Sequence, residues 1–162
     1  MPDHINLTRT YRVAQWSRDR STQNGVIIVN EEGDEEVTGY NDLPPSLEAR
    51  NERFERPLKY EFTEHAERAA IYRAAKFGMS LQGATMYAAW AACADCARAI
   101  VLSGITTLVR HNPDHMPDHD HWAETIAVGD TIMTESGVTI INITDPLPNA
   151  LPVLRNGRMF QP

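Results

Sequence analysis

Four residues that can bind a metal ion or transfer a proton fall in two short motifs. His65 and Glu67 are separated by one residue, and Cys93 and Cys96 are separated by two. Each motif lies at the predicted start of a helix, and two helix starts at one edge of a sheet can bring one imidazole and two thiolates to a single point. Three protein ligands with an open fourth position are the pattern of catalytic Zn²⁺ sites. The two motifs together therefore predict a zinc centre.

The chemistry that such a centre supports is hydrolysis by an activated water molecule. Bound zinc lowers the pKa of a coordinated water towards about 7, and the N-terminus of a helix favours thiolates electrostatically. Glu67 lies two residues from His65, so it can point into the same pocket without binding the metal. A carboxylate in that position can take a proton and pass it on. We therefore predict that Glu67 is a catalytic residue.

Two other interpretations of these motifs are open at this point. A redox-active C-x-x-C pair would leave His65 and Glu67 unexplained. A purely structural zinc site would need a fourth ligand, for which the candidates are His111, His115, His119 and His121. We interpret this histidine-rich segment as a solvated loop. Glu67 also disfavours a non-catalytic zinc domain, because a structural site has no use for its carboxylate.

The charge of the chain restricts the class of substrate. Its 162 residues include 15 Lys and Arg against 22 Asp and Glu, which gives a formal net charge of −7. Polynucleotide binding depends on Lys and Arg, so we expect no nucleic-acid partner, whereas a small anionic substrate needs only a local basic spot. No apolar run is long enough to cross a membrane, and no secretory leader is visible. We therefore expect a cytoplasmic protein that binds no membrane.

Helices alternate with strands along the chain, most regularly in its second half. An apolar run at 26–29, an acidic turn and a second short run at 37–41 predict a hairpin. Residues 42–62 show no periodicity and are predicted to be irregular. The predicted helices span 5–20, 64–77, 96–102 and 122–135, and the remaining predicted strands span 85–90, 106–110 and 138–143.

This order of elements predicts an α/β fold. Strands that alternate with helices imply parallel crossovers after an antiparallel start, so we expect a three-layer α/β/α sandwich with a five-stranded mixed sheet. We assign residues 1–143 to this domain and residues 144–162 to a proline-rich C-terminal tail. The tail is expected to pack on the body of the domain or on a neighbouring subunit of a homo-oligomer.

Beyond the two motifs, several segments resemble one known family. The sequence resembles the deoxycytidylate (dCMP) deaminases of the zinc-dependent cytidine deaminase superfamily over roughly residues 8–143. The combination of H-x-E with C-x-x-C is the signature of zinc-dependent deaminases, and the Gly-Tyr-Asn segment at 39–41 indicates the dCMP branch. The other segments that carry the resemblance are 16–19, 21–25, 65–68, 83–87, 93–100 and 104–105.

The resemblance implies a role for each residue of the site. It implies that His65, Cys93 and Cys96 bind Zn²⁺ and that Glu67 transfers the proton. The substrate-binding positions that we expect are Asn24, Asn41, Ala66, Trp90 and Ala91. Among these, Asn41 would contact the sugar or the base, and the backbone near Ala66 and Ala91 would meet the edge of the pyrimidine.

The activity that the resemblance implies is hydrolysis of dCMP to dUMP with release of ammonia. Arg18, Arg20 and Lys59 are candidates to bind the 5′-phosphate. A free nucleoside, a modified dCMP or another aminated heterocycle is the alternative substrate, and a change at Asn24 or Trp90 would produce that shift. A polynucleotide editor would use the same zinc chemistry, but it would need a basic groove with stacking aromatic residues.

The sequence departs from the family pattern in the loop after Asn41. Asp42 and Pro45 stand in a loop where regulated members have glycine and where the triphosphate effector binds. A carboxylate repels a triphosphate, and proline lacks the N–H that could meet a phosphate. We therefore predict that dCTP does not activate this enzyme. Ala92 replaces the usual proline before the first cysteine, which predicts looser geometry without loss of chemistry.

Overall fold

A mixed five-stranded sheet forms the centre of the computed structural model, which describes residues 2–112 and 119–162. The strand order is β2-β1-β3-β4-β5. Strand β1 is antiparallel to β2 and β3, whereas β3, β4 and β5 are parallel. The predicted mixed sheet is therefore confirmed. The strands are β1 (Gly25–Val29), β2 (Glu36–Tyr40), β3 (Thr85–Ala88), β4 (Thr107–His111) and β5 (Thr139–Ile143).

Helices cover both faces of the sheet. One face packs against α3, α4 and α5, and the other face packs against α1 and the C-terminal segment. The alternation of strand side chains divides the core accordingly, so that Ile28, Met86 and Leu108 lie on the first face. The predicted three-layer sandwich is confirmed. The helices are α1 (Pro2–Ala14), α2 (Lys59–Phe62), α3 (Ala66–Phe77), α4 (Ala94–Ser103) and α5 (His119–Glu135).

Two glycines allow the close packing that positions the starts of α3 and α4. A Cβ atom at Gly39 in β2 would lie 2.2 Å from the backbone oxygen of Ala66, the first residue of α3. A Cβ atom at Gly129 in α5 would lie 2.9 Å from the backbone oxygen of Ala92, just before α4. Larger side chains would push both helix starts away from their supports.

The first helix is shorter than the sequence predicted, since α1 ends at Ala14 and not near Asp19. Polar side chains in the next segment bind backbone groups that a helix would need. The Ser17 hydroxyl accepts a hydrogen bond from the Asp19 N–H, and the Asp19 carboxylate accepts hydrogen bonds from the N–H groups of Ser21 and Thr22. Such local bonds compete with helix formation. Residues 42–62 also contain more structure than predicted, namely a 3₁₀ turn at Asn51–Phe54 and helix α2.

The prediction of a solvated histidine-rich loop is wrong for His111 and wrong in secondary structure from residue 119 onward, although His121 is exposed. His111 is the last residue of β4 and is fully buried, where its Nδ1 accepts a hydrogen bond from the Tyr11 hydroxyl at 2.6 Å. Its Nε2 lies 3.1 Å from the backbone oxygen of Asp145. His119 and His121 belong to helix α5. Residue 115 lies outside the described residues.

The C-terminal segment forms part of the core. Leu147, Ala150 and Val153 are buried beside Tyr11 of α1. The segment also contains a hairpin of β6 (Val153–Arg155) and β7 (Arg158–Phe160), which the sequence analysis missed. Its two-residue Asn156-Gly157 turn has positive φ at both positions, and Asn-Gly is a strong hairpin signal. In the described ranges, no helix combines the length and the apolar character that a membrane span requires.

Candidate active site

Two helix starts bring the two sequence motifs together. His65 caps the N-terminus of α3 and Cys93 caps that of α4, each with an extended backbone. Glu67 and Cys96 follow in the first turn of the same helices. Because the cap and the first turn of a helix are neighbours in space, each motif presents its two side chains at one end of its helix. We call these four residues the helix-start cluster.

The ligand atoms of the cluster lie close enough to share one metal ion. The Sγ atoms of Cys93 and Cys96 are each 3.5 Å from Nδ1 of His65, and all three ligand atoms lie within 4.8 Å of one another. The Glu67 carboxylate lies next to them, with its Oε2 3.6 Å from the Cys96 Sγ. No other set of three such side chains meets this criterion in the part of the chain that the structure describes.

The two thiols titrate as a coupled pair. The hydrogen bond from Cys96, together with one from His65, lowers the pKa of Cys93 to about 4 against the opposing effect of burial. The same hydrogen bond with Cys93, burial and the nearby Glu67 raise the pKa of Cys96. One thiolate is therefore favoured by the protein alone, and a second thiolate in this place needs a cation beside it.

Glu67 is a buried carboxyl group. Only 2% of its surface is exposed, and desolvation raises its pKa, partly offset by the positive charge of His65. A carboxyl group with a raised pKa holds and releases a proton more readily near neutral pH than an exposed one. Its place beside the two thiols and the imidazole suits proton transfer next to the ligands.

The donor set fits zinc. One imidazole and two thiols are ligands of the borderline-soft type that Zn²⁺ prefers, and three protein ligands leave one coordination position open. His111, which the sequence offered as a fourth ligand, binds Tyr11 and the Asp145 backbone and takes no part in the cluster. Zinc is therefore the metal of this centre, and the site has the open type of donor set that belongs to catalysis.

A cavity that opens to solvent borders the cluster. It includes every substrate-binding position predicted from the sequence, namely Asn24, Asn41, Ala66, Trp90 and Ala91. The Asn41 side chain links the two loops at one wall, since its Nδ2 donates to the Thr22 oxygen at 2.7 Å and its Oδ1 accepts from the Asn24 N–H at 2.6 Å. Both functional groups of Asn41 therefore stabilise the wall of the cavity.

The remaining wall comes from two irregular segments, and sequence reasoning missed most of it. We call this set the loop wall; its residues are Asp19, Thr22, Arg56, Lys59 and Tyr60. Trp122 and Ile126 of α5 also line the cavity, and the Trp122 ring lies 6.1 Å from that of His65 in an edge-to-face arrangement. No local pattern marks these residues, because they meet only after loops distant in sequence fold together.

Of the three predicted phosphate-binding residues, only Lys59 lines the cavity. Its Nζ is buried and lies 2.8 Å from the Asp19 carboxylate, so its charge is already paired. Arg20 donates a hydrogen bond to the Asn51 side chain outside the cavity. Arg56, which was not predicted, is exposed at the cavity, and its hydrogen bonds with described residues are long contacts of 3.4–3.5 Å with Asn156 and Ser21.

Arg18 forms an ion pair with Asp42 outside the cavity, and this pair changes the interpretation of Asp42. Its Nε lies 3.0 and 2.9 Å from the two carboxylate oxygens of Asp42, and the Leu43 N–H donates to the same carboxylate at 2.7 Å. The backbone of Asp42 pairs with Glu64, directly before His65. The charge of Asp42 is therefore compensated, and Asp42 fastens the loop to the start of α3.

The chain matches one family model and several known proteins. Residues 3–112 match the model of the cytidine and deoxycytidylate deaminase zinc-binding region. An uncharacterised deaminase of Aliivibrio fischeri is 31% identical over 129 residues, which cover 79% of this chain and 84% of that protein. The deoxycytidylate deaminase of Mus musculus is 31% identical over 137 residues, which cover 81% of this chain and 73% of the mouse protein.

The fold is similar to that of a solved phage enzyme. The apo dCMP deaminase of cyanophage S-TIM5 superimposes with a TM-score of 0.69 at 20% identity, covering 88% of this chain and 97% of that one. A structure of the same phage enzyme in complex with dCMP and dUMP gives a TM-score of 0.66 at 20% identity. At this identity the likeness concerns the fold.

Proposed function

The chain belongs to the cytidine and deoxycytidylate deaminase family of zinc-dependent hydrolases, and we propose that its substrate is dCMP, which it converts to dUMP and ammonia. The observation that carries this proposal is the composition of one cavity. Three residues of the helix-start cluster line this cavity, namely His65, Glu67 and Cys93, and the cationic side chains of Arg56 and Lys59 line it too. In such a cavity the cluster can hydrolyse an aminated base while a cationic side chain binds a phosphate.

The proposed roles within the cluster follow from burial and distance. His65, Cys93 and Cys96 would hold the zinc, which when bound supplies Lewis-acid activation of water. Glu67 would take one proton of the attacking water and deliver it to N3 of the base, and would then take the remaining proton from the new C4 hydroxyl and deliver it to the leaving amino group. Water adds at C4, the bond from C4 to the amino nitrogen breaks, and ammonia leaves. The raised pKa of Glu67 favours both halves of this transfer.

Trp90 and the neighbouring backbone would enclose the planar base. Trp90 is 6% exposed and lines the cavity together with Ala91 and Ala66. Ala91 is partly exposed, so its backbone can meet the polar edge of a base, whereas Ala66 is fully buried behind the wall. Aromatic and backbone groups combined in this way are typical of pockets that bind small ligands.

The phosphate would be bound by Arg56 rather than by Arg18 or Arg20. Among the described residues no carboxylate lies within ion-pair distance of Arg56, whereas Lys59 is paired with Asp19. A guanidinium can donate two parallel hydrogen bonds to a phosphate. The likeness to the mouse deoxycytidylate deaminase and to the phage enzyme that binds dCMP and dUMP supports a nucleotide substrate.

A substrate panel tests the proposal. Ammonia release would be measured with cytidine, CMP, dCMP, dCTP and a 5-substituted dCMP under identical conditions. We expect the highest kcat/KM with dCMP. Comparable values for cytidine and dCMP would contradict a nucleotide substrate, and a higher value for the 5-substituted compound would assign a modified dCMP instead.

Assembly into a homo-oligomer stays a prediction. The tail that was expected to offer spare surface packs on the sheet of its own chain. The most exposed large apolar side chains on α3 and α4 are Tyr72, Phe77 and Leu102, and Met159 of the tail is also exposed. Sedimentation at micromolar concentration would measure the mass of the particle, and a value near 18.2 kDa would refute the prediction.

A further inference from the structure

A buried guanidinium group lies behind the part of the cavity wall that Trp90 forms. Arg155 ends strand β6 in the C-terminal hairpin, and its side chain is fully buried. The central carbon of its guanidinium lies 4.7 Å from the centre of the Trp90 ring. A residue of the tail therefore supports an aromatic ring that borders the candidate active site.

The same guanidinium fixes two backbone segments next to the cavity. One terminal nitrogen donates a hydrogen bond to the Gln23 oxygen, and the other donates to the Ala89 oxygen at 3.3 Å. Gln23 directly precedes Asn24, and Ala89 directly precedes Trp90. Asn24 and Trp90 both line the cavity. One side chain thus connects the loop before β1 to the segment after β3.

Filling the core does not require a charge at this place. Among the described residues no Asp or Glu lies within ion-pair distance of Arg155, and burial lowers its pKa to about 10, so it remains charged at neutral pH. A buried charge is costly, and apolar residues of similar volume often give equal or greater stability. The position of this cation points to a role beyond packing.

The Trp90 ring depends on its neighbours for its orientation. Its Nε1 atom is buried and has no hydrogen-bond partner among the described residues. Nothing therefore fixes the ring through its own polar atom. The stacked guanidinium supplies a directional contact, because a cation is attracted to the face of an indole ring more strongly than to its edge.

We propose that Arg155 is a positioning residue for the substrate, which acts by holding the Trp90 ring so that the base meets a wall of fixed shape. The identity of the ligand rests on the proposed function, whereas the contact between Arg155 and Trp90 does not. The expected consequence of losing Arg155 is weaker and less ordered binding of the base, with the proton transfer by Glu67 left intact once the base is bound.

Kinetics of four variants test the proposal. The variants are Arg155→Met, Trp90→Leu, the double variant, and Arg158→Met as a matched control. Arg158 is the exposed arginine that pairs with Arg155 in the hairpin. For Arg155→Met we expect KM for dCMP and Kd for dUMP to rise about tenfold while kcat changes less than about threefold, which corresponds to about 1.4 kcal/mol of binding. Arg158→Met should leave all three values unchanged.

A double-mutant cycle separates positioning from general stability. If Arg155 acts through Trp90, the Arg155→Met change should have little further effect, less than about threefold, in the Trp90→Leu background. If the fold-change in KM and Kd of the double variant equals the product of the two single-variant fold-changes, the two residues act independently and the proposal is overturned. An unchanged KM and Kd in a folded Arg155→Met protein, whatever its melting temperature, would also overturn it.

Tryptophan fluorescence tests the contact between Arg155 and Trp90 without measuring turnover. In a Trp16→Phe, Trp122→Phe background Trp90 is the remaining tryptophan, because the chain has three. Arg155→Met should shift its emission to longer wavelength and increase its quenching by acrylamide; unchanged emission and quenching would overturn the proposal. If the wild type does not deaminate dCMP, the proposed function is wrong, whereas the fluorescence measurement still tests the role of Arg155.

A conservative variant, Arg155→Lys, keeps the proposal testable if Arg155→Met does not fold. Should Arg155→Met not fold, Arg155→Lys keeps the charge and the stem but loses the planar fork that bonds two carbonyls at once. We expect KM for dCMP several-fold above the wild-type value together with greater quenching of Trp90. Wild-type KM and quenching in Arg155→Lys would contradict the positioning role.

Discussion

The helix-start cluster and the loop wall border the same cavity but are built in different ways. His65, Glu67, Cys93 and Cys96 come from two helix starts and lie within a few ångströms of one another. The loop wall comes from residues 19–22 and 56–60, which have no regular structure except at the start of α2. Helix geometry fixes the two side chains within each motif, and tertiary packing has only to bring two helix starts together, whereas tertiary contacts alone fix the places of the loop-wall residues.

This difference suggests a division of labour between the two regions. The cluster contains the groups that would bind zinc and move protons, which every deamination needs. The loop wall contains the cations, whose benefit depends on whether the substrate carries a phosphate. Changes in the cluster should therefore abolish turnover of all substrates, and changes in the loop wall should alter the preference among them. The predictions below test that division.

The largest effect is expected from loss of a metal ligand. In Cys96→Ser the hydroxyl stays protonated and replaces a thiolate, so we expect zinc to fall from about one equivalent per chain to less than about a tenth. Ammonia release should disappear with every substrate of the panel. Metal analysis of the purified variant and of the wild type measures the zinc content.

Removal of the metal from the wild type provides the control for that variant. Dialysis against a chelator should abolish activity, and added Zn²⁺ should restore it to the wild-type protein but not to Cys96→Ser. A full equivalent of zinc retained by Cys96→Ser would show that the metal binds elsewhere.

The second effect is expected from Glu67→Gln, which keeps the shape of the side chain and removes its capacity to accept a proton. We expect kcat to fall by about 10²–10⁴-fold for dCMP and for cytidine alike. Zinc content should remain at the wild-type value, because Glu67 is not a ligand in the proposed site. Glu61→Gln, at an exposed position on α2 outside the cavity, is the matched control. A loss of less than tenfold would exclude Glu67 from the proton transfer.

A smaller and selective effect is expected from the loop wall. Arg56→Gln removes the cavity cation that pairs with no carboxylate in residues 2–112 and 119–162, and we expect KM for dCMP to rise about tenfold, in line with loss of a charge-assisted hydrogen bond. KM for cytidine should not change. Arg20→Gln removes a nearby arginine that lies outside the cavity and should leave both values as they are. Equal losses with nucleotide and nucleoside would contradict the division between the two regions.

The smallest effect is expected from dCTP. The repulsion inferred from the charge of Asp42 is weakened, because Arg18 compensates that charge. The contacts of Asp42 with Arg18 and Glu64 nevertheless keep the loop closed on the start of α3, and Pro45 lacks an N–H to offer a phosphate. We expect added dCTP with Mg²⁺ to change the rate at low dCMP by less than about twofold, within the range of nonspecific salt effects. A sigmoidal dCMP curve that dCTP makes hyperbolic would show that an effector site exists.

Predictions from the sequence succeeded where neighbouring residues determine the structure. The alternation of elements was sufficient for the layers and for the five strands of the central sheet, and the predicted helix ends at 77 and 102 lie close to Gly78 and Gly104, which end α3 and α4 with positive φ. Two predictions that failed, for the end of α1 and for the C-terminal segment, also failed because of local features of the chain. The end of α1 was misplaced because side-chain bonds of Ser17 and Asp19 compete with the helix, and the Asn156-Gly157 turn was overlooked inside a segment rich in proline.

The sequence by itself determined the zinc-dependent chemistry, because an H-x-E and a C-x-x-C motif at two helix starts have few arrangements other than a shared metal centre. The predicted substrate-binding positions Asn24, Asn41, Ala66, Trp90 and Ala91 also line the cavity. Only the tertiary structure decided which cations face that cavity. Arg18 pairs with Asp42, Lys59 pairs with Asp19, Arg56 is left without a carboxylate partner among the described residues, and Arg155 lies beneath Trp90. A long cationic side chain reaches several partners, and the choice among them depends on contacts between segments far apart in the chain.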